Sequence, residues 1–236
     1  MNSEGFKHIE CKHCSQRFSH VICNPENDYH HSIDTHKICA TFKKGEMLFK
    51  EGAYATGIFC VNQGKIKLSK LGEEGKEQIV RLVKSGDILG YKALLTGNKY
   101  SGSAIALEDS NVCFIPKDIF TGILKKDANL SFEMMKILSN QLKSTEDALM
   151  HLAQKPVRER VAEVVLYLKE TYGVDDENNI NVTLSREDFA NIVGTATETC
   201  IRFLSEMKKE DIIEMSGKRI KIVNQAKLVR TANIFD

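Results

Sequence analysis

The sequence predicts an α+β protein: an antiparallel β-roll, then one long helix, then a small helical unit closed by a strand hairpin. Three observations carry this. Ten of the 15 glycines lie between Gly45 and Gly102. The stretch from Ile123 to Gln154 has neither glycine nor proline. Beyond Pro156, two polar cap signals, Ser185-x-x-Asp188 and Thr195-x-x-Glu198, stand on either side of Gly194.

Composition sets the bounds. The chain has 236 residues, 42% hydrophobic and 28% charged, which suits one large or two small folded domains. No run approaches 18 apolar residues, so no membrane partner is expected. The first residues, MNSEGFKHIECKHC, lack an apolar h-region and do not read as a signal peptide. Seven cysteines, an odd number without an export signal, point to a reducing cytoplasm rather than a disulfide framework. The net charge of +1 neither announces nor excludes a nucleic-acid partner.

The glycine-rich stretch encloses short, partly alternating runs, KIKLSKL (65–71) and EQIVRLV (77–83), which read as strands of a roll or barrel. SAIALEDSNVCFIP (103–116) reads as the strand that closes it, and Pro116 stops it. In the glycine-free stretch, Met134, Leu138, Leu142, Thr145, Leu149 and Leu152 recur at spacings of three and four, the mark of a helix with one apolar stripe. That stripe packs on its own roll or, since the helix outruns the roll, joins a two-chain coiled coil. Lys155-Pro156 breaks the helix. VRERVAEVVLYLKETYG (157–173) is a further helix stopped by glycine, and NVTL (181–184) reads as a short strand. The division expected is 1–36, a Cys/His-rich segment; 37–122, the roll; 123–155, the long helix and hinge; and 156–236, the final domain.

Two capped helices around a glycine turn make a helix-turn-helix. In the second, Cys200, Phe203, Leu204 and Met207 fall on an inward face. Thr197, Glu198, Ile201, Arg202, Ser205 and Lys208 face outward, the first of them at the end where a recognition helix meets base edges of double-stranded DNA. Arginine can fork onto guanine and glutamate can accept from cytosine. Glu198 and Arg202, four apart, can also orient each other. An ordinary solvated helix face is the competing reading. IIEMSGKRIKIV (212–223) reads as two strands turning at Ser216-Gly217, with Lys218, Arg219, Lys221, Lys227 and Arg230 as a basic wing suited to phosphate. From Gln154 onward there are 13 basic and 14 acidic residues, so this reading requires the charge to be segregated by surface.

LFKEG (48–52), GDILGY (86–91), ALEDSNVCFIP (106–116) and VGTATETCIRFL (193–204), in this order, resemble the CRP/FNR family of bacterial transcription regulators over about 37–230. The resemblance implies a cupin-like sensory roll, a dimerisation helix and a C-terminal winged helix-turn-helix, acting as a homodimer with RNA polymerase as a further partner. It places Thr197, Glu198, Ile201 and Arg202 at base-reading positions. The cyclic-nucleotide branch needs a glutamate and an arginine where GYKALLTGNKYSGSA (90–104) has Tyr91 and Gly102. A buried cyclic phosphate there would lack a fixed counter-charge, which argues against such a ligand.

The resemblance also bears on CKHCSQRFSHVIC (11–23). The oxygen-sensing branch holds a [4Fe–4S] cluster on four thiolates, and Cys113 matches the ligand from the roll, with Cys11, Cys14 and Cys23 as partners. Eight residues separate Cys14 from Cys23, more than the familiar spacing. A zinc site of Cys11, Cys14 and Cys23 with His20, His30 or His31 is the alternative, and a frayed tail of incidental thiols the third reading. Cys39, Cys60 and Cys200 read as small hydrophobes. The function expected is a DNA-binding regulator, redox- or oxygen-responsive; the alternative is the same fold without metal, sensing a small organic ligand in the roll. An enzyme of cupin type is disfavoured because residues 37–150 contain no histidine.

Overall fold

The structure is a computed structural model. It describes residues 10–17, 21–22 and 29–234. The chain divides into two compact units, one of residues 1–70 and 81–141, the other of 71–80 and 142–236.

The first unit begins with a 3-10 turn, Cys11–His13, and a short helix α1 (His30–His36). The roll then follows: β1 (Ile38–Phe42), β2 (Met47–Phe49), β3 (Gly57–Gln63), β4 (Lys65–Leu71), β5 (Glu77–Lys84), β6 (Ile88–Leu89), helix α2 (Tyr91–Thr96), β7 (Ser103–Ala106) and β8 (Ser110–Pro116). Two four-stranded sheets form, in the orders β1-β8-β3-β6 and β2-β7-β4-β5. Val61, Val112, Ile66, Val83, Leu89 and Ala104 come from both sheets and make the buried filling between them. Alternate residues of the first sheet, Ile58, Cys60 and Ile115, face the other way and bury against Phe120, Ile123, Leu130 and Met134. Residues 103–116 are not one strand. The chain leaves β7 at Ala106 and enters β8, in the other sheet, at Ser110. The Leu107 amide donates to Lys65 O at this corner.

The helix predicted from Ile123 is also divided, into α3 (Lys117–Lys126) and α4 (Ala128–Gln154). Asp127 between them is extended, and its carboxylate accepts from the Leu130 amide at 3.0 Å. A local cap therefore interrupts a stretch that holds no glycine or proline.

In the second unit the end of α4 is followed by α5 (Val157–Tyr172), which starts at Pro156 and stops at Gly173. Next come α6 (Arg186–Val193), α7 (Thr197–Lys209), a hairpin of β9 (Ile213–Ser216) and β10 (Arg219–Ile222), and α8 (Gln225–Thr231). Helix α5 packs on α6, α7 and α8, burying Val161, Val165 and Leu168. Residues 181–184 form no strand: the Val182 amide turns back to Ile180 O and the Asn181 amide bonds Gly173 O. The wing turns at Gly217-Lys218, one residue later than the sequence predicts, with Arg219 paired to Ser216.

The two cap signals fare differently. Ser185 and Asp188 form a reciprocal capping box at the start of α6. At α7 the N-cap is Ala196, with no side-chain cap bond, because α6 ends over Gly194 and the Thr195 amide is used to close it on Ala190 O. Gly194 has φ 73°, and a Cβ there would lie 2.9 Å from Leu152 Cδ2. Ser185→Ala should cost about 1 kcal/mol in chemical denaturation, and Thr195→Ala a small fraction of that. Equal losses would show that the second cap forms after all.

Candidate functional site

Helix α7 separates its faces as the spacing requires, except that Phe203, expected inward, is only half-buried. Cys200, Leu204 and Met207 are buried, and burial pushes the Cys200 thiol up to about 12, leaving it inert. Glu198, Ile201 and Arg202 are exposed, while Thr197 and Ser205 are half-buried. Arg202 does not pair with Glu198. Its guanidinium lies 3.6 Å from Glu206 and 4.4 Å over the Phe203 ring. Ser205 Oγ donates to Ile201 O, so its hydroxyl is turned along the helix.

The helix pair is set by a residue the sequence analysis did not single out. Arg160 on α5 donates to Val193 O and Gly194 O at the turn, and to Leu152 O and Lys155 O at the end of α4. Nothing local in the sequence identifies an arginine that reaches carbonyls 33 and 34 residues away.

The wing is less free than its sequence suggests. Lys218 is exposed at the turn. Arg219 reaches Glu177 at 2.9 Å and Asp175 at 3.9 Å, so the polar loop after α5 brings acids to the wing beyond its own Glu214. Such an exposed, solvent-screened pair contributes little to stability.

Tyr91 and Gly102, the positions at which the resemblance expects a cyclic nucleotide to need a glutamate and an arginine, lie in the first unit. Tyr91 is buried, and its hydroxyl donates to Gln141 at 2.7 Å while accepting from Arg81. At Gly102 a Cβ would lie 2.6 Å from Ser69 O, so no side chain fits between β7 and β4.

The N-terminal thiols gather on this unit. The Cys11 amide donates to Asp34 Oδ1 at 2.8 Å. Lys37, its side chain 2% exposed, donates to Asp34 at 2.5 Å and to Cys11 Sγ at 2.8 Å. Burial acts to raise the Asp34 carboxyl, but the hydrogen bonds from Lys37 and from Cys11 outweigh it and hold its pKa at about 2. Burial likewise opposes the charge on Lys37, yet Asp34 and Cys11 hold its pKa above the usual lysine value. Donor atoms of Cys11, His30 and Asp34 lie within 4.8 Å of one another, and His30 Nε2 is buried without a hydrogen-bond partner among the described residues. Cys14 is buried and donates to Asn62 Oδ1 at 3.1 Å; burial raises its thiol. Cys23 and His20 lie outside the described residues. His31 is exposed.

Cys113 departs from its expected setting. Its sulfur is bonded to that of Cys39, the two residues facing each other across β1 and β8 with Cα atoms 4.0 Å apart. Cys39 is therefore more than a packed hydrophobe, and the described residues hold a disulfide where the cysteine count predicted no disulfide framework. The pairing escaped sequence reading because it joins residues 74 apart. Asp34 and Lys37 left a fainter signal, an acid and a base three apart on a short helix.

These features match known proteins along most of the chain. Residues 40–127 match the cyclic nucleotide-binding domain model, and residues 159–231 the Crp-like helix-turn-helix domain model. The fumarate and nitrate reduction regulatory protein of Vibrio cholerae is 31% identical over 194 residues, 81% of this chain and 77% of that protein. The protein of the same name in Escherichia coli K12 is 30% identical over 230 residues, 95% and 90% of the two chains. Among solved structures, FixK2 of Bradyrhizobium japonicum superposes with a TM-score of 0.76 at 23% identity, over 85% of this chain and 99% of that one. A CRP/FNR-family regulator of Thermus thermophilus gives 0.69 at 24%, over 83% and 98%. With a roll of this topology, a Crp-like helix-turn-helix and relatives at this identity, the chain belongs to the CRP/FNR family of DNA-binding transcription regulators.

Proposed function

We propose that this regulator binds DNA as a homodimer and that its N-terminal thiols make binding respond to oxygen or redox state. The observation that carries the DNA half is the face of α7: Glu198, Ile201 and Arg202 project to solvent while the opposite face is buried. Thr197 and Ser205 border that face, and Lys218 and Arg219 on the wing would meet phosphates. Two such helices one helical turn of DNA apart require a second copy of the chain.

The second copy is supported by α4. In the second unit, Leu142 is 60% exposed and Leu149 68% exposed, with Met150 and Leu152 also open. In the first unit, Phe132 and Met135 stand exposed on the earlier turns of the same helix. The inner end of the predicted stripe, Met134 and Leu138, packs on its own roll. The two readings of the stripe thus divide between its ends.

For the signal, an iron–sulfur cluster on Cys11, Cys14, Cys23 and Cys113 is the reading favoured by kinship with the fumarate and nitrate reduction regulators. The donors present fit it in kind and in part in position: Cys11 is in the buried cluster on the helix-facing side of β8, the partly buried Cys113 packs against that cluster, and Cys14 is buried three residues from Cys11. Cys113 must first be free of Cys39. When bound, such a group supplies a tie between the N-terminal segment and the roll that oxygen or nitric oxide breaks. The protein's part is to bring thiols from the first turn and from β8 to one apolar surface and to hold Cys11 against Asp34 and Lys37. A zinc-type site is the second reading, favoured by the proximity of Cys11, His30 and Asp34. There Lys37 Nζ, 2.8 Å from Cys11 Sγ, would have to withdraw.

Anaerobic purification followed by visible absorption and by iron, sulfide and zinc analysis tests the signal. Iron and sulfide in equal amounts are expected, and a colourless, metal-free protein that still binds DNA tightly sinks the redox reading. Arg202→Ala should weaken binding to the preferred site by about 10- to 100-fold, the loss of one bidentate base contact, and relax preference at one base pair. Lys218→Ala should weaken binding to all sequences alike and lower the salt slope by about one. Leu149→Glu should shift sedimentation toward the monomer and weaken DNA binding with it; an unchanged dimer would mean that α4 is not the interface.

A further inference from the structure

Strand β8 is flanked by β1 and β3, and the pairing puts Cys113 opposite Cys39 on one side and opposite Cys60 on the other. Directly opposed residues of antiparallel strands point to the same face. Three sulfur side chains therefore stand in one row across three strands, on the face where Cys11 is also buried. Four of the chain's seven cysteines meet on this surface. Within the row, Cys113 is bonded to Cys39, while Cys60 is a free, buried thiol.

We propose that Cys39 and Cys113 are a reversible oxidation site, and that the bond between them withholds Cys113 from any metal held by the N-terminal thiols. The second half rests on the cluster reading of the proposed function. A metal-bound cysteine is a thiolate with its sulfur free. A sulfur joined to Cys39 has no such electron pair on offer as a thiolate, so the two states of Cys113 exclude each other. Oxidation by a low-molecular-weight disulfide proceeds in two exchanges. The Cys113 thiolate, the less buried of the pair, attacks one sulfur of the reagent and expels a thiolate. The Cys39 thiolate then attacks the Cys113 sulfur of the mixed disulfide and expels the second. The protein loses two protons and two electrons, and the reagent leaves as two thiols. A dithiol reverses both steps. Cys39 is placed to resolve because β1 is the edge strand of its sheet, whereas Cys60 is enclosed in the cluster with Ile58, Ile115 and Phe120.

Cys39 thus has a role that the four-thiol reading does not assign. It protects the roll's ligand when the cluster is lost, and it makes reloading depend on the thiol poise of the cell as well as on iron and sulfide.

The full-length protein, freed of metal by chelation, is divided into one portion reduced with dithiothreitol and one oxidised with oxidised glutathione. Alkylation under denaturing conditions and peptide mapping then read the thiols directly. The oxidised portion should yield a peptide linking Cys39 to Cys113, with Cys60 alkylated. After removal of the reagents, ferrous iron and sulfide should load the reduced portion and fail to load the oxidised one until dithiothreitol is restored. In Cys39→Ser, with Cys39→Ala as a second variant should the first fold poorly, the oxidised portion should hold glutathione on Cys113 as an unresolved mixed disulfide and yield no internally linked peptide. Alkylation of both Cys39 and Cys113 in the oxidised portion overturns the oxidation site, as does a peptide linking Cys60 to Cys113. A Cys39–Cys113 link with equal loading of both portions overturns the withholding. Reduced protein that takes up no iron and sulfide overturns the cluster reading, while the linked peptide still decides the oxidation site independently.

Discussion

Strand β8 is paired along both edges, to β1 and to β3, and the first unit depends on that two-sided pairing. It fixes which residues look inward and which look toward the helices. Val112 goes into the filling between the two sheets, and Cys113 and Ile115 go to the surface that receives α3, the start of α4 and the N-terminal turn. Because side chains alternate strictly along a strand, a slip of one residue would send Cys113 into the roll and remove the row of thiols altogether. The packing that specifies the register also specifies the chemistry. Apolar burial sets the alternation, and the sulfur positions follow from it.

The same surface carries the most buried charge among the described residues. Lys37 and Asp34 are held together against Cys11, with Lys37 almost fully removed from water. Leaving either charge alone there would cost several kcal/mol, far more than breaking an exposed pair such as Arg219 with Glu177. The contrast separates two uses of charge. The buried pair anchors the Cys11 turn against α1. The exposed pairs on the wing and on α7 are weak enough to be exchanged for phosphate or base edges, which a DNA-binding surface needs.

In the second unit the turn between α6 and α7 is over-determined. A capping box starts α6, Gly194 ends it in the left-handed region, and Arg160 gathers the carbonyls of that turn with those at the end of α4. Four hydrogen bonds to one guanidinium make a rigid mount for α7 within this unit. These bonds hold α7 to α5 and to the end of α4, which fixes where its exposed residues stand within this unit.

Much of the architecture was readable in the sequence because it is written locally. Glycine spacing marks turns, the i, i+3, i+4 pattern marks α5 and α7, and Ser185 with Asp188 marks the start of α6; each signal lies within a few residues of its effect. Where local signals compete, the sequence reading failed. Asp127 capped a new helix inside an unbroken apolar pattern, the Thr195 amide was used by the preceding helix, and residues 103–116 crossed between sheets instead of forming one strand. By itself the sequence determined the order of roll, helix and helix-turn-helix, the exposed face of α7 and the cysteines to watch. Only the tertiary structure decided that Cys39 and Cys60 flank Cys113, that Lys37 lies on Cys11, and that the acids after α5 reach the wing. Those are meetings of residues far apart in the chain, set by strand register and burial, and no spacing along the sequence encodes them.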